Sequence, residues 1–211
     1  MSQICTELHE LLKLGRRFTF QLGYNDIPLN GIYILFEKGE VAHNGDRIVR
    51  IGTHIGDNQL RSRIYQHFEN ENKNRSIFRK NIGRCLLNKQ QDPYLTIWEL
   101  DTTSRVEKAK FAHLINKDFE NNLEKEISQY IQDNFSFVTI QANTKQERLY
   151  FESKLIGTVS NCADCQPSAN WLGLNSPIEK IKKYGLWQVQ HLCANSLDMS
   201  ELELLETKLI K

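Results

Sequence analysis

The sequence predicts an α+β fold: a small central β-sheet, built from a hairpin and at least one further strand, flanked by helices, with helical additions at both ends. Three observations predict it. Two strand-like runs, GIYILFEKGE (31–40) and DRIVRIG (46–52), are separated by Gly, Asn and Asp, as in a hairpin turn. A second β-branched and aromatic stretch, FSFVTI (135–140), supplies another strand. Around these runs, apolar residues recur every three or four positions, the spacing of amphipathic helices.

In chain order, CTELHELLKLGRRF has apolar residues at 8, 11, 12 and 14 and reads as a short helix ended by Gly15. After the hairpin, NQLRSRIYQHF (58–68) is helical, with Leu60, Ile64, Tyr65 and Phe68 in step. The polar NENKN loop leads to a helix from about Ser76 to Leu87, and YLTIWEL (94–100) reads as a strand. From Glu107 to Asp133, apolar residues at 111, 115, 119, 123, 127 and 131 predict one long amphipathic helix. TKQERLYFESKLIGTVS (144–160) is again helical, and QPSANWLG is a loop. SPIEKIKKYG begins as a helix, with Pro at its first turn and Gly after its end, and SLDMSELELLETKLIK closes with one more. There are no repeats, low-complexity tracts or linkers. The simplest organisation is a single domain over 1–211, with a core at 31–170 and helical additions at 1–30 and 171–211.

With 40% hydrophobic and 25% charged residues, the composition is that of an ordinary globular protein. Its apolar runs are far short of the ~20 residues of a membrane span. The N-terminus carries acidic residues and no apolar signal core, which predicts a cytoplasmic protein and free thiols for its five cysteines. A net charge of +1 argues nothing about partners, but its distribution does. Residues 47–89 hold ten Lys/Arg against three acids, a local +7, leaving −6 for the rest. Such a block is the footprint of a phosphate-binding surface; the competing reading is a solvated basic face.

Strict alternation along RIVRIG puts Val49 and Ile51 on one face and Ile48 beside Arg50 on the other. A guanidinium on a half-apolar face is costly unless it is paired or faces a ligand. Glu152 poses a similar question. It stands among Leu149, Leu155, Ile156 and Val159 on one helical stripe, and carboxylates are rarely enclosed unless paired or metal-bound. A salt bridge to an arginine such as Arg63 and a bound Mg²⁺, which needs few protein ligands, both answer it. CADC offers Cys162 and Cys165, which with His191 and Cys193 make four residues of zinc-accepting type. The H-x-C pair is not a usual ligand spacing, and simple thiols are the competing reading. Trp171, Leu186 and Trp187 read as core. The glycines form no phosphate-cradling pattern, so nucleotide-driven activity is not indicated.

Pairing the hairpin strands brings Tyr33 of GIY close to Arg50-Ile51-Gly52. This pair of tripeptides resembles the GIY-YIG nuclease family, whose signatures lie on adjacent strands of a small sheet. The ordered set continues with Arg63 and His67, spaced i, i+4 on one helix, and with Glu152 on a later helix. Asn170 after the QPSAN loop completes it, with Asn161 as a competitor. NKNRSIFRKNIG, WLG and GLWQVQHL are similar to a bacterial subgroup with an arginine-led second tripeptide. Arg50 replaces the usual tyrosine, and the spacer after Tyr33 is longer than usual, which costs little in a loop.

The resemblance implies a metal-dependent endonuclease hydrolysing phosphodiester bonds in DNA, with RNA not excluded. Mg²⁺ (or Mn²⁺) on Glu152 would stabilise the leaving oxygen, and Arg63 the charge building on the phosphoryl oxygens. Tyr33, His54 or His67 would take the proton of the attacking water. Free phenols ionise near ~10 and a nearby cation favours the phenolate, so Arg50 beside Tyr33 reads as an adaptation that makes it a better base. For His67 the plainer reading is a hydrogen-bonded core histidine. Arg75, Arg79 and Lys80 are expected on backbone phosphates, with a solvated helix surface as their plainer reading. A self-contained chain suits a restriction-type or defence nuclease, possibly a homodimer. The rival reading is an inactive nucleic-acid-binding protein on the same scaffold, with Arg50 as the mark of lost chemistry; a protein-interaction module is a third.

Overall fold

A computed structural model describes residues 3–19 and 24–211. Strands β1 (Gly31–Ala42) and β2 (Gly45–Gly52) form the hairpin, and β3 (Phe135–Gln141) pairs antiparallel on the other side of β1, giving the order β2-β1-β3. The hairpin closes through His43 and Asn44, whose φ values of 50° and 58° are the left-handed pair that matches strand twist in a two-residue turn. The fold is therefore α+β with a small three-stranded antiparallel sheet, as the sequence predicts.

Alternation along β2 is not strict. Leu35 pairs with Arg50 but Phe36 pairs with Ile48, so Val49 is an extra residue, a β-bulge. The slip puts Ile48 and Ile51 together in one core and Val49 in the other. Arg50 follows Val49, with its guanidinium 5.4 Å from the ring centroid of Phe78. The expected partition of these four residues is thereby corrected: one inserted residue turns Arg50 onto the face that carries Tyr33.

Helices cover both faces. On one lie α1 (Gln3–Lys13), α7 (Lys145–Ser160) and α9 (Met199–Glu206), packed over Ile32, Ile34, Ile48 and Ile140. On the other lie α2 (Leu60–Phe68), α3 (Ile77–Lys89) and α6 (Lys117–Asn134), packed over Tyr33, Leu35, Val49 and Phe137. The sheet edges are covered rather than left open. Trp187 N–H bonds to Val49 O at 2.8 Å beside β2, and Phe18 and Leu209 bridge to Phe137 and Ile140 of β3.

Two expected elements differ. Residues 94–100 contain a short helix, α4 (Leu95–Trp98), rather than a strand. Asp92 caps the turn through Tyr94 N–H at 2.8 Å, and Trp98 is buried with its indole N–H on Lys80 O at 3.0 Å. A short apolar run does not distinguish helix from strand by periodicity, and here the Asp92 turn and the burial of Trp98 accompany the helix. The long helix expected over 107–133 is two, α5 (Arg105–Phe111) and α6. Asn116 accepts from Phe119 N–H at 3.1 Å and starts α6 afresh, while α5 buries no residue. A short helix α8 (Glu179–Tyr184) precedes Gly185, whose φ of 63° ends it.

The basic block is largely internal. Arg47 is fully buried on Glu40 at 2.6 Å, Lys73 reaches Glu120 at 3.2 Å, and Arg84 reaches Glu99 at 2.5 Å. Arg79, expected on phosphate, is also fully buried: it pairs with Glu124 at 2.7 Å and donates to Ser128 Oγ and His67 O. Lys80, likewise expected on phosphate, donates to Glu99 O at 2.8 Å and is mostly covered. Burial corrects the expectation for Arg79, and among the described residues half of the ten basic residues in the block, Lys80 included, pair with acids of the fold. Arg79→Met strands Glu124, whose pKa burial already pushes up, and is expected to cost about 3–5 kcal/mol in urea unfolding. Arg79→Met/Glu124→Met is expected to recover most of that loss; a double variant no more stable than the single one contradicts the pairing.

Candidate active-site cleft

A cleft of about 470 Å³ opens where β1, β2, α2 and α7 meet, lined by Tyr33, Arg50, Gly52, Thr53, His54, Arg63, Gln66, Glu152 and His191 among others. An adjoining hollow of about 260 Å³ shares Arg50, Glu152 and His191 and adds Gln188. Tyr33 and Gly52 are cross-strand partners. A Cβ at Gly52 would lie 2.2 Å from Tyr33 Oη, so this position must be glycine for the phenol to lie across the β2 backbone. Gly31 answers to the other neighbour, since a Cβ there would meet Ile140 O of β3 at 2.4 Å.

The phenol is the end of a hydrogen-bonded row. Tyr33 Oη lies 2.7 Å from His67 Nε2, and His67 Nδ1 lies 2.7 Å from Ser76 Oγ. Ser76 is the N-cap of α3 and accepts Arg79 N–H at 3.2 Å. His67 is fully buried, and its pKa is held well below the ordinary imidazole value, first by burial and then by Arg63, Arg50 and Arg79. It is neutral at neutral pH and reaches the cleft through Tyr33.

His54 is held by the backbone on both sides of its ring. Nδ1 donates to Gly56 O at 2.6 Å, and Nε2 accepts Gly31 N–H at 3.2 Å. Burial lowers its pKa as well. The imidazole thus fastens the loop after β2 to the start of β1.

Arg50 donates to Trp187 O, while its buried Nε has no hydrogen-bond partner among the described residues. Arg63, on α2, donates to Gln66 Oε1 at 3.1 Å and to Arg75 O at 3.0 Å. Glu152 accepts Thr53 N–H on Oε1 at 3.1 Å. It forms no ion pair within 4.0 Å among the described residues, so the expected salt bridge to Arg63 is absent there. Burial raises the Glu152 pKa, with Arg50 the largest opposing influence. The stripe around it also differs from expectation: Leu149 is 39% exposed, and the glutamate sits at the edge of the core formed by Phe151, Leu155 and Ile156.

Arg75 is exposed at the start of the α3 segment, beside Arg63 through its own carbonyl. The two asparagines lie elsewhere. Asn161 caps the end of α7 and donates to Ala194 O at 3.0 Å; Asn170 is exposed in the following loop, and neither lines the cleft. The zinc set read from CADC is not assembled either. His191 stands at the cleft, and Cys193 is exposed against Tyr184 Oη at 3.1 Å.

Thr53, Ser76, Gln188, Gln190 and His191 belong to this neighbourhood and were not singled out for it by sequence. Gln188 Oε1 accepts Ile51 N–H at 2.9 Å, so the 187–191 segment forms a wall beside β2. Behind it, Glu37 accepts the indole N–H of both Trp171 and Trp187, at 2.7 and 2.8 Å, and the Tyr130 hydroxyl. The available signal was the pair of tryptophans, whose buried N–H groups need acceptors.

Two strands joined by a hairpin thus place a GIY tyrosine against the glycine of an RIG tripeptide, with an arginine helix and a glutamate helix closing the cleft. No curated protein and no solved structure significantly matches the chain. The family profile described as GIY-YIG domain matches residues 1–211, so the chain belongs to the GIY-YIG family and carries its nuclease-type fold.

Proposed function

We propose that the protein is a divalent-metal-dependent endonuclease that hydrolyses phosphodiester bonds in DNA. The observation that carries this reading is the convergence of Tyr33, Arg50, Arg63 and Glu152 on one polar cleft. No described helix is long and apolar enough to cross a membrane.

Glu152 fits a hard cation. Backbone holds one of its oxygens, no basic side chain among the described residues pairs with it, and the carboxylate lines the cleft. An oxygen ligand with room for water suits Mg²⁺ or Mn²⁺. Bound there, such an ion would supply Lewis-acid stabilisation of the leaving oxygen.

Tyr33 is the base favoured by the hydrogen bonding. His54 has both nitrogens engaged, and His67 is enclosed behind the phenol. With Ser76 giving its proton to His67 Nδ1, the neutral imidazole donates from Nε2 to Tyr33 Oη. The row then ends on an oxygen that accepts; as the phenolate, Tyr33 takes one proton of the attacking water and becomes the neutral phenol, while the imidazole N–H stays bonded to its oxygen. The guanidinium groups of Arg50 and Arg63, which line the cleft, favour the negative charge of a phosphate bound there. Arg50 does in this arrangement what a second tyrosine would not: it brings fixed positive charge to the lining of the cleft. Arg63 binds the non-bridging oxygens, and Arg75 extends the cationic strip toward the nucleic-acid backbone.

Incubation of supercoiled plasmid with wild-type protein tests the function. Nicked or linear product is expected in Mg²⁺ or Mn²⁺ and none in EDTA. Salt-dependent DNA binding in EDTA, without product in either metal across duplex and branched substrates, would instead identify a binding protein on a nuclease scaffold. A restriction or defence role, a homodimer and a cytoplasmic location accord with this reading.

A further inference from the structure

Four ligand-type side chains meet on the side of the sheet covered by α1 and α7, and none of them lines the cleft. Cys5 and His9 stand one turn apart on α1, His43 is in the β1–β2 turn, and Cys165 is in the loop after α7. Their ligand atoms all lie within 4.8 Å of one another. Cys5 Sγ is 3.5 Å from Cys165 Sγ, and His9 Nε2 is 4.0 Å from Cys165 Sγ. A tetrahedral S₂N₂ zinc site, with Zn–S near ~2.3 Å and Zn–N near ~2.0 Å, requires ligand atoms roughly 3.3–3.8 Å apart.

The histidines are also oriented as ligands are. His9 Nδ1 donates to Cys5 O at 2.8 Å, and His43 Nδ1 lies 2.9 Å from Thr6 Oγ1. Each contact occupies Nδ1 and leaves Nε2 to face sulfur, His9 toward Cys165 and His43 toward Cys162, the arrangement in which an outer partner fixes ring and tautomer. Cys5, His9 and Cys165 are buried, so water does not compete for the position. Two sulfurs and two imidazoles select zinc over the hard cations that suit Glu152.

We propose that Cys5, His9, His43 and Cys165 bind a structural zinc ion that fastens α1 to the hairpin turn and to the loop after α7. With four protein ligands it is a closed site, and its role is to hold segments far apart in sequence. Cys162 is adjacent, with Sγ 3.4 Å from His43 Nε2, but stands outside the four.

Metal analysis of full-length protein, purified from zinc-supplemented culture and dialysed against EDTA, is the test. One zinc per chain is expected. Exchange for Co²⁺ should give the visible bands of a tetrahedral ion with sulfur-to-metal charge transfer. Cys165→Ser and His9→Ala should lose the stoichiometric zinc, whereas Cys162→Ser and Cys193→Ser should retain it. Should the first two fail to fold, the wild-type zinc content and cobalt spectrum decide. Metal-free folded protein, a Cys5–Cys165 disulfide, or zinc lost in Cys162→Ser but kept in His9→Ala would each overturn the assignment. None of these readouts depends on DNA cleavage.

Discussion

Glu152→Gln is expected to abolish cleavage of supercoiled plasmid while leaving the fold and DNA binding in EDTA intact. The amide keeps an oxygen for Thr53 N–H but removes the charge that a divalent cation requires. Lewis-acid assistance is worth several kcal/mol, so at about 1.4 kcal/mol per tenfold the rate should fall by about 10³-fold or more. The stability change has the opposite sign. Burial raises the carboxyl pKa, so the folded state binds this proton more tightly than the unfolded chain does. The resulting stabilisation is full below the ordinary glutamate pKa and is lost as pH rises through the raised one. At neutral pH the ionised Glu152 is therefore a burden on the fold, and the neutral variant should unfold at the same or a higher temperature. A variant that still cleaves, or one that fails because it unfolds, removes Glu152 from the metal role.

Tyr33→Phe is the second large effect. Losing a positioned general base costs about 10²–10⁴-fold in kcat. The same change removes the bond to His67 Nε2, for which about 1 kcal/mol of stability is expected. DNA affinity in EDTA should hardly move, because phosphate contacts come from arginines. Comparing kcat and Kd for the variant separates the two roles. An unchanged cleavage rate eliminates the phenol as base and leaves its hydrogen-bonded row as scaffolding.

Much of this was legible in sequence because it depends on local chemistry. The hairpin follows from two β-branched runs and turn residues; Tyr33 and Arg63 were expected from the resemblance to the GIY-YIG family, and Glu152 from that resemblance and from its place on an apolar helical stripe. The β-bulge was not legible: a one-residue slip depends on which backbone groups pair across the sheet, and it moved Arg50 relative to Ile48. Charge in a sequence carries no burial, so Arg79 looked like a phosphate contact when its partner, Glu124, lies 45 residues away. YLTIWEL failed for a different reason, since both helix and strand accommodate a short apolar run. The wall formed by 187–191 was hidden by distance along the chain.

That distance has a consequence for the order of synthesis. Arg50 and Trp187, whose carbonyl holds the guanidinium, are 137 residues apart. At ribosomal rates of about 5–20 residues per second, roughly 7–27 s separate the emergence of one from the other. Tyr33, Arg63 and even Glu152 are made well before Gln188 and His191 close the cleft. A nascent chain that has not yet exposed residues 187–191 therefore lacks a finished cleft. The side chains of the first half of the chain wait for a wall made more than a hundred residues later.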